Sequence, residues 1–291
     1  MILKEFSFIG VPFDGAATLG RPGSRYAPDE VRRHLEWMKM RVEDGRIYWI
    51  DRDEVVPFDP RALHDVGDVA VVPHDLSATM AATREMVRSE AASGRVPLVI
   101  GGDDSILFPA VAGIHDAVSG SMAVVHFDAH LDLLDHSDAQ GSHSQSSGMR
   151  RALELERVVP RHCVQVGTRN FNFPSSKRFI DGIGLTELPA TRVLSDGVVA
   201  TLERIFEIIE PADHIVVSVD IDVLDPAFAP GVGWQEPGGF SSRFLLDLLL
   251  PLASRVAGFA LNEVNPMTDQ GSQTTILAAN LVFQFVVAAG L

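Results

Sequence analysis

Residues His214–Pro226 read HIVVSVDIDVLDP. Ile215, Val216, Val217 and Val219 make both faces of an extended segment apolar, and the run then meets Asp220 and Asp222. A strand buried on both faces belongs to a parallel sheet covered by helices. Such sheets carry their functional groups just beyond the carboxyl ends of their strands. Similar short runs occur at Phe6–Val11, Leu63–Val66, Pro97–Ile100, Met122–Phe127, Val164–Gly167, Arg192–Leu194 and Val256–Leu261. Between them, Leu202, Ile205, Phe206 and Ile209 follow the spacing of one helix face, as do Leu245, Leu248, Leu249 and Leu252. Pro28, followed by Asp29 and Glu30, marks a helix start. Strand–helix alternation along the whole length predicts one α/β domain spanning residues 1–291, with right-handed crossovers.

Two further strands end in acids. Ile100 is followed by GGDDS, which gives Asp103 and Asp104, and AVVHFDAHLD gives Asp128, His130 and Asp132. Residues two apart in extended backbone point the same way, so Asp128, His130 and Asp132 can converge, as can Asp220 and Asp222. A single Asp after a strand is usually a turn or cap residue. Several ionised carboxylates crowded together repel one another and need cations between them. Oxygen-rich ligation with one imidazole suits manganese or magnesium better than zinc, and shared carboxylates suggest two metals.

Composition narrows the partners. A formal charge of −15 argues against nucleic acid and anionic membranes, which need clustered Lys and Arg, and favours metal ions or a cationic substrate. Cys163 is the only cysteine, so a reducing compartment is expected; with no signal-peptide layout at the N-terminus, the expectation is a cytoplasmic protein. The apolar tail from Ile276 to Leu291 contains Asn280 and Gln284 and reads as a buried terminal helix, not a membrane span. Ser137–Ser147, SDAQGSHSQSS, reads as a mobile polar loop.

The chain also resembles the ureohydrolases: arginase, agmatinase and formimidoylglutamase. IGVPFDGAATLGRPGSRYAPDEVRR is similar to the family's N-terminal signature, and GGDDS, HFDAHLD, SVDIDVLDPAFAPG and LNEVNP resemble its successive active-site motifs in the right order. The resemblance implies a three-layer α/β/α sandwich with a mostly parallel sheet and a dinuclear manganese centre. It implies Asp104, Asp128, Asp132 and Asp220 on one metal, and His130, Asp128, Asp220 and Asp222 on the other, with Asp128 and Asp220 bridging. Glu263 matches the acceptor of the substrate guanidinium. In a hydrolysis at such a centre the leaving amine must receive a proton, and Asp132, a ligand beside the bridging oxygen, is expected to pass it. By the same analogy the protein is a homo-oligomer, a trimer or hexamer.

Three positions depart from the family pattern. Asp104 stands where histidine is normal, so one metal sees only carboxylates and the ligand set is more anionic; Asp103 is then expected to orient its neighbours from behind. Gln145 occupies the place of a histidine that shuttles protons or binds substrate, with His143 two residues earlier as a replacement. Trp234 and Gln235 replace a small residue and a proline; the indole either narrows the site or stacks on a planar substrate, or it is a core tryptophan under a loop. The leading expectation is an agmatinase-like hydrolase of a guanidino compound that releases urea. An amidine or formimidoyl hydrolase is the alternative within the family. A non-catalytic metal-binding relative or partner subunit is the alternative outside enzymes, and the retained acids argue against it.

Overall fold

The computed structural model describes residues 4–17 and 20–291; Thr18 and Leu19 of the N-terminal signature, and Met1–Leu3, lie outside the described residues. In chain order the strands are β1 (Phe6–Gly10), β2 (Arg46–Trp49), β3 (Glu54–Pro57), β4 (Leu63–Asp68), β5 (Val96–Ile100), β6 (Met122–Phe127), β7 (Val164–Val166), β8 (Thr186–Leu188), β9 (His214–Asp220) and β10 (Val256–Asn262). The helices are α1 (Ala27–Lys39), α2 (Leu76–Ala92), α3 (Leu107–Ala117), α4 (Gly148–Leu153), α5 (Pro174–Ile183), α6 (Ala190–Ile209), α7 (Ser242–Leu249) and α8 (Gln273–Ala289). Strands β2 and β3 form an antiparallel hairpin, and the other eight join one sheet in the order β4-β1-β5-β10-β9-β6-β7-β8, every pair parallel.

Alternation along the strands divides the core into two layers. Leu98, Ile100, Phe127, Val217 and Phe259 pack with α1, α6, α7 and α8 on one face. Val99, Val124, Val216 and Ala260 pack with α2, α3, α4 and α5 on the other. This is the α/β/α sandwich, and it is why the central strands are apolar on both faces. The terminal helix α8 is buried, with Phe285 stacked 4.5 Å from Phe259 and Phe283 5.1 Å from Phe58. Among the described residues no helix is long and apolar enough to cross a membrane.

One expectation is corrected. Arg192–Leu194 is not a strand but lies in α6, where Val193 is buried and Leu194 faces out. The edge strand is instead Thr186–Leu188, paired with β7 and too short to register as a pattern. The Ser-rich segment is a loop, as expected, with internal bonds: Gly141 N donates to Ser137 O at 2.7 Å, and Ser144 and Ser147 cap each other and are buried. It forms a wall of the cavity described next.

Candidate metal centre and active site

Four neighbouring strands, β5, β10, β9 and β6, deliver their carboxyl ends side by side. Leu261 pairs with Ile100, Asn262 with Asp220, and Phe127 with Val219. Adjacent strands lie about 4.8 Å apart, so residues just past these ends must meet. Asp104 follows β5, Glu263 follows β10, Asp220 and Asp222 close β9, and Asp128, His130 and Asp132 follow β6. All of them except the fully buried Asp128 line a cavity of about 670 Å³.

The turn after β5 needs its glycines. Gly101 and Gly102 have φ of 93° and 84°, and a Cβ on Gly102 would sit 2.6 Å from the Phe13 carbonyl oxygen. The turn splits the two acids. Asp103 is fully buried and spends its oxygens on backbone, accepting from Ser105 N at 3.0 Å and Ala16 N at 2.9 Å. Burial pushes its carboxyl up to about 6. Asp104 faces the cluster: its Oδ1 accepts from Asn262 Nδ2 at 2.7 Å, its carboxyl pairs with that of Asp132, and among the described residues its Oδ2 meets no conventional hydrogen-bond donor.

Strand β9 supplies a second pair. Asp222 N donates to Asp220 Oδ1 at 2.9 Å, and Ala129 N donates to Asp222 Oδ1 at 3.2 Å. His130 Nδ1 lies 3.0 Å from Asp222 Oδ2 and 3.5 Å from Asp128 Oδ1. Burial alone would lower the His130 pKa, but Asp222 and Asp128 outweigh it and push it to about 12. Asp132 and Glu263 both hold left-handed backbone, with φ of 49° and 61°, uncommon for residues with a Cβ and typical of strain kept at functional sites. Asp132 is fixed by Arg150 N donating to its carbonyl, and Glu263 by its own N–H donating to Gly102 O and by Asp104 N donating to its Oε1 at 2.9 Å.

Two groups of donor atoms converge closely enough to share a cation: Asp104, His126, Asp128 and Asp132 form one, and Asp128, His130 and Asp222 the other. Asp128 belongs to both. Asp220 lines the cavity and is buried but falls in neither compact group. His126 was not expected. It sits on β6 two residues before Asp128, on the same face, and that alternation was the available signal. Its ring is fully buried, and burial holds it neutral by lowering its pKa.

The donors fit divalent cations. Burial, reinforced by neighbouring carboxylates, raises the pKa of Asp104, Asp132, Asp220 and Glu263 well above the usual range. Without added positive charge the cluster therefore holds protons. Asp104 Oδ2, Asp128 Oδ2 and both His126 nitrogens are buried without hydrogen-bond partners among the described residues. Orphaned buried donors and acceptors are costly, and an oxygen-rich set with imidazole suits a hard or borderline divalent ion.

The rim carries the remaining expected residues. Gln145 lines the cavity, and its N–H donates to Ala16 O. His143 is not among the lining residues; its exposed ring packs 5.8 Å from that of Phe108. Trp234 lines the mouth and is 56% exposed, which excludes the core-tryptophan reading. Its Nε1 donates to Glu236 Oε1 at 2.7 Å, and the same oxygen lies 3.6 Å from His130 Nε2. Arg169, another residue that sequence reasoning missed, binds this region together. Its guanidinium donates to the carbonyls of Asp222 (2.6 Å), Glu236 (2.7 Å), Gly167, Val223, Leu224 and Pro237.

A parallel α/β sandwich with two donor groups sharing an aspartate at the carboxyl edge of its sheet is the arrangement of a protein that would hold divalent cations beside a ligand cavity. A model of the arginase family matches residues 4–288. Guanidinopropionase of Pseudomonas aeruginosa is 31% identical over 284 residues, covering 97% of this chain and 86% of that protein. Proclavaminate amidinohydrolase of Streptomyces clavuligerus is 33% identical over 287 residues, covering 96% of this chain and 88% of that protein. Its solved structure superposes with a TM-score of 0.85 at 30% identity, over 99% of this chain and 92% of that one. Formimidoylglutamase from Bacillus subtilis superposes with a TM-score of 0.87 at 26% identity, over 100% of this chain and 88% of that one. The chain belongs to the arginase family, and so to the metal-dependent amidinohydrolases.

Proposed function

We propose that this chain hydrolyses a linear C–N bond in a guanidino compound and releases urea. The observation that carries this reading is the pair of donor groups sharing Asp128, whose members Asp104, His130, Asp132 and Asp222 line the same cavity as Glu263. Asp104, Asp128, His130, Asp132, Asp220 and Asp222 would hold two divalent ions, manganese being the metal the donor chemistry favours. When bound, the ions supply an acidified water and offset negative charge that develops at the attacked carbon.

The chain's own residues do the rest. Glu263 holds the planar guanidinium by charge-assisted N–H contacts and fixes its carbon over the cluster. The water oxygen bonds to that carbon, the bond to the substituted nitrogen breaks, and the leaving amine must take up a proton. Asp132 faces the same space, takes the proton that the attacking water gives up and delivers it to that nitrogen. Gln145 and Trp234 line the path and contact the remainder of the substrate. His143 lies off the cavity wall and reaches the substrate as a proton shuttle only if the segment carrying it shifts.

Arg150 is the only Arg or Lys lining the cavity among the described residues; it stacks 3.8 Å over the Phe179 ring and pairs with Glu154 at 2.9 Å. Similarity to formimidoylglutamase keeps a second reading, a formimidoyl or amidine substrate at the same centre. Manganese-loaded protein assayed with a panel of guanidino amines, guanidino acids and formimidoyl compounds separates the two. Urea release supports the first reading, and formamide or ammonia release the second. Asp128→Asn should abolish turnover of the confirmed substrate, and unchanged turnover would refute the dinuclear mechanism. We further read the protein as a cytoplasmic homo-oligomer, with its lone buried cysteine supporting a reducing compartment.

A further inference from the structure

We propose that His126 is a metal ligand, giving the ion beside Asp104 an imidazole from the body of strand β6. The inference rests on the dinuclear reading above and adds a donor to it.

Four observations carry it. His126 lies on a central strand flanked by β9 and β7, so its ring cannot reach solvent, and it is 0% exposed. Its Nε2 is 3.2 Å from Asp128 Oδ2 and 3.9 Å from Asp104 Oδ1. Neither ring nitrogen makes a hydrogen bond to a described residue, even though the nearer contact is within hydrogen-bond range, so the ring is not oriented to donate to Asp128. Finally, the carboxylate oxygens left without partners, Asp104 Oδ2 and Asp128 Oδ2, belong to the two acids that flank this ring.

A buried imidazole that only held Asp128 in place would point its N–H at an oxygen. One donor atom from each of His126, Asp104, Asp128 and Asp132 lies within 4.8 Å of the others, so the unpaired ring belongs to a set of donors arranged about a common point. The chemistry is consistent with this. The carboxylates around that ion all bring negative charge, and a neutral imidazole adds a strong donor without adding to it.

The test uses the whole protein with manganese alone. Crystals of the wild type soaked in manganese should show an anomalous peak at ligand distance, about 2.0–2.3 Å, from a His126 ring nitrogen. A peak on the Asp104 side lying beyond bonding distance of both nitrogens overturns the proposal. Equilibrium dialysis of His126→Leu, checked for native circular dichroism, should show one ion bound as in the wild type and the other weakened ~100-fold or more. Two ions bound with wild-type affinity overturns it too. An affinity loss of only 10–100-fold is what a positioning role would give, and there the anomalous map decides. Wild type that takes up no manganese at all defeats the dinuclear reading itself, an outcome distinct from a His126 that is present but unligated.

Discussion

Arg169→Ala perturbs one side chain outside the metal cluster, and its effect should be large. The guanidinium joins three separate segments by their carbonyls: Gly167 after β7, Asp222 to Leu224 after β9, and Glu236 with Pro237 at the cavity mouth. A hydrogen bond from a charged donor is worth about 1.5–3 kcal/mol. Water can replace some of the six partners, so only the two shortest bonds, to Asp222 O and Glu236 O, are counted in full. That gives a destabilisation of about 3–6 kcal/mol. At about 2 °C per kcal/mol for a chain of this size, Tm should fall by roughly 6–12 °C. Asp222 and Glu236 both flank His130, so manganese affinity should fall about 10–100-fold as well. Arg169→Lys should rescue little, because one ammonium cannot span carbonyls on three segments. Differential scanning calorimetry with and without manganese, plus dialysis, measures both effects. A variant whose Tm moves by less than about 2 °C and whose metal affinity is unchanged would refute the idea that this residue binds the site together.

Glu263→Gln should keep the fold and the metal but lose about 10–100-fold in kcat/KM on a cationic substrate, since a charge-assisted contact becomes a neutral one; steady-state kinetics showing no loss would remove Glu263 from substrate binding. Asp269 accepts from Thr274 N, Thr275 N and Thr275 Oγ1 at the start of α8; burial opposes ionisation there, yet those bonds hold its pKa below the usual carboxylate value. Its contribution is therefore present above the unfolded-state pKa and lost as pH falls through the folded one, so Asp269→Ala should cost about 1–2 kcal/mol at pH 7, and urea unfolding should show that cost shrinking in acid. In metal-free protein the raised carboxyls of Asp104, Asp132, Asp220 and Glu263, together with raised His130, act in the opposite sense. A folded pKa above the unfolded one gives stability that is complete below the unfolded value and disappears as pH rises through the folded value. Chelator-treated protein should thus melt higher at pH 6 than at pH 8, while manganese reverses the trend because protons compete with the ion; parallel melting curves for the two forms would contradict the acid cluster's assigned role.

The two-sided apolar runs made the central sheet legible, because burial on both faces leaves a continuous signature in Val96–Ile100, Met122–Phe127 and His214–Val219. The margins were harder to read. Arg192–Leu194 has the composition of a strand, yet Pro189 starts a helix there, and the true edge strand is only three residues long. The hairpin β2–β3 is largely exposed on one face and gave no long apolar run. At the site, the acids declared themselves because each follows a strand directly. His126 did not, since a histidine inside a strand looks like part of the sheet until Asp104 is seen across from it. Arg169 was invisible for a stronger reason: all its partners are backbone carbonyls, brought together only by the fold. Gln145 and His143 could not be ranked from spacing alone; the fold brings the first to the cavity wall and turns the second against Phe108.

The central claim is that the crowded acids at four strand ends exist to hold a pair of cations. Inductively coupled plasma mass spectrometry on protein equilibrated with manganese and then freed of unbound metal tests it directly. The account predicts two manganese ions per chain, and a chain that retains one or none after saturation would contradict it.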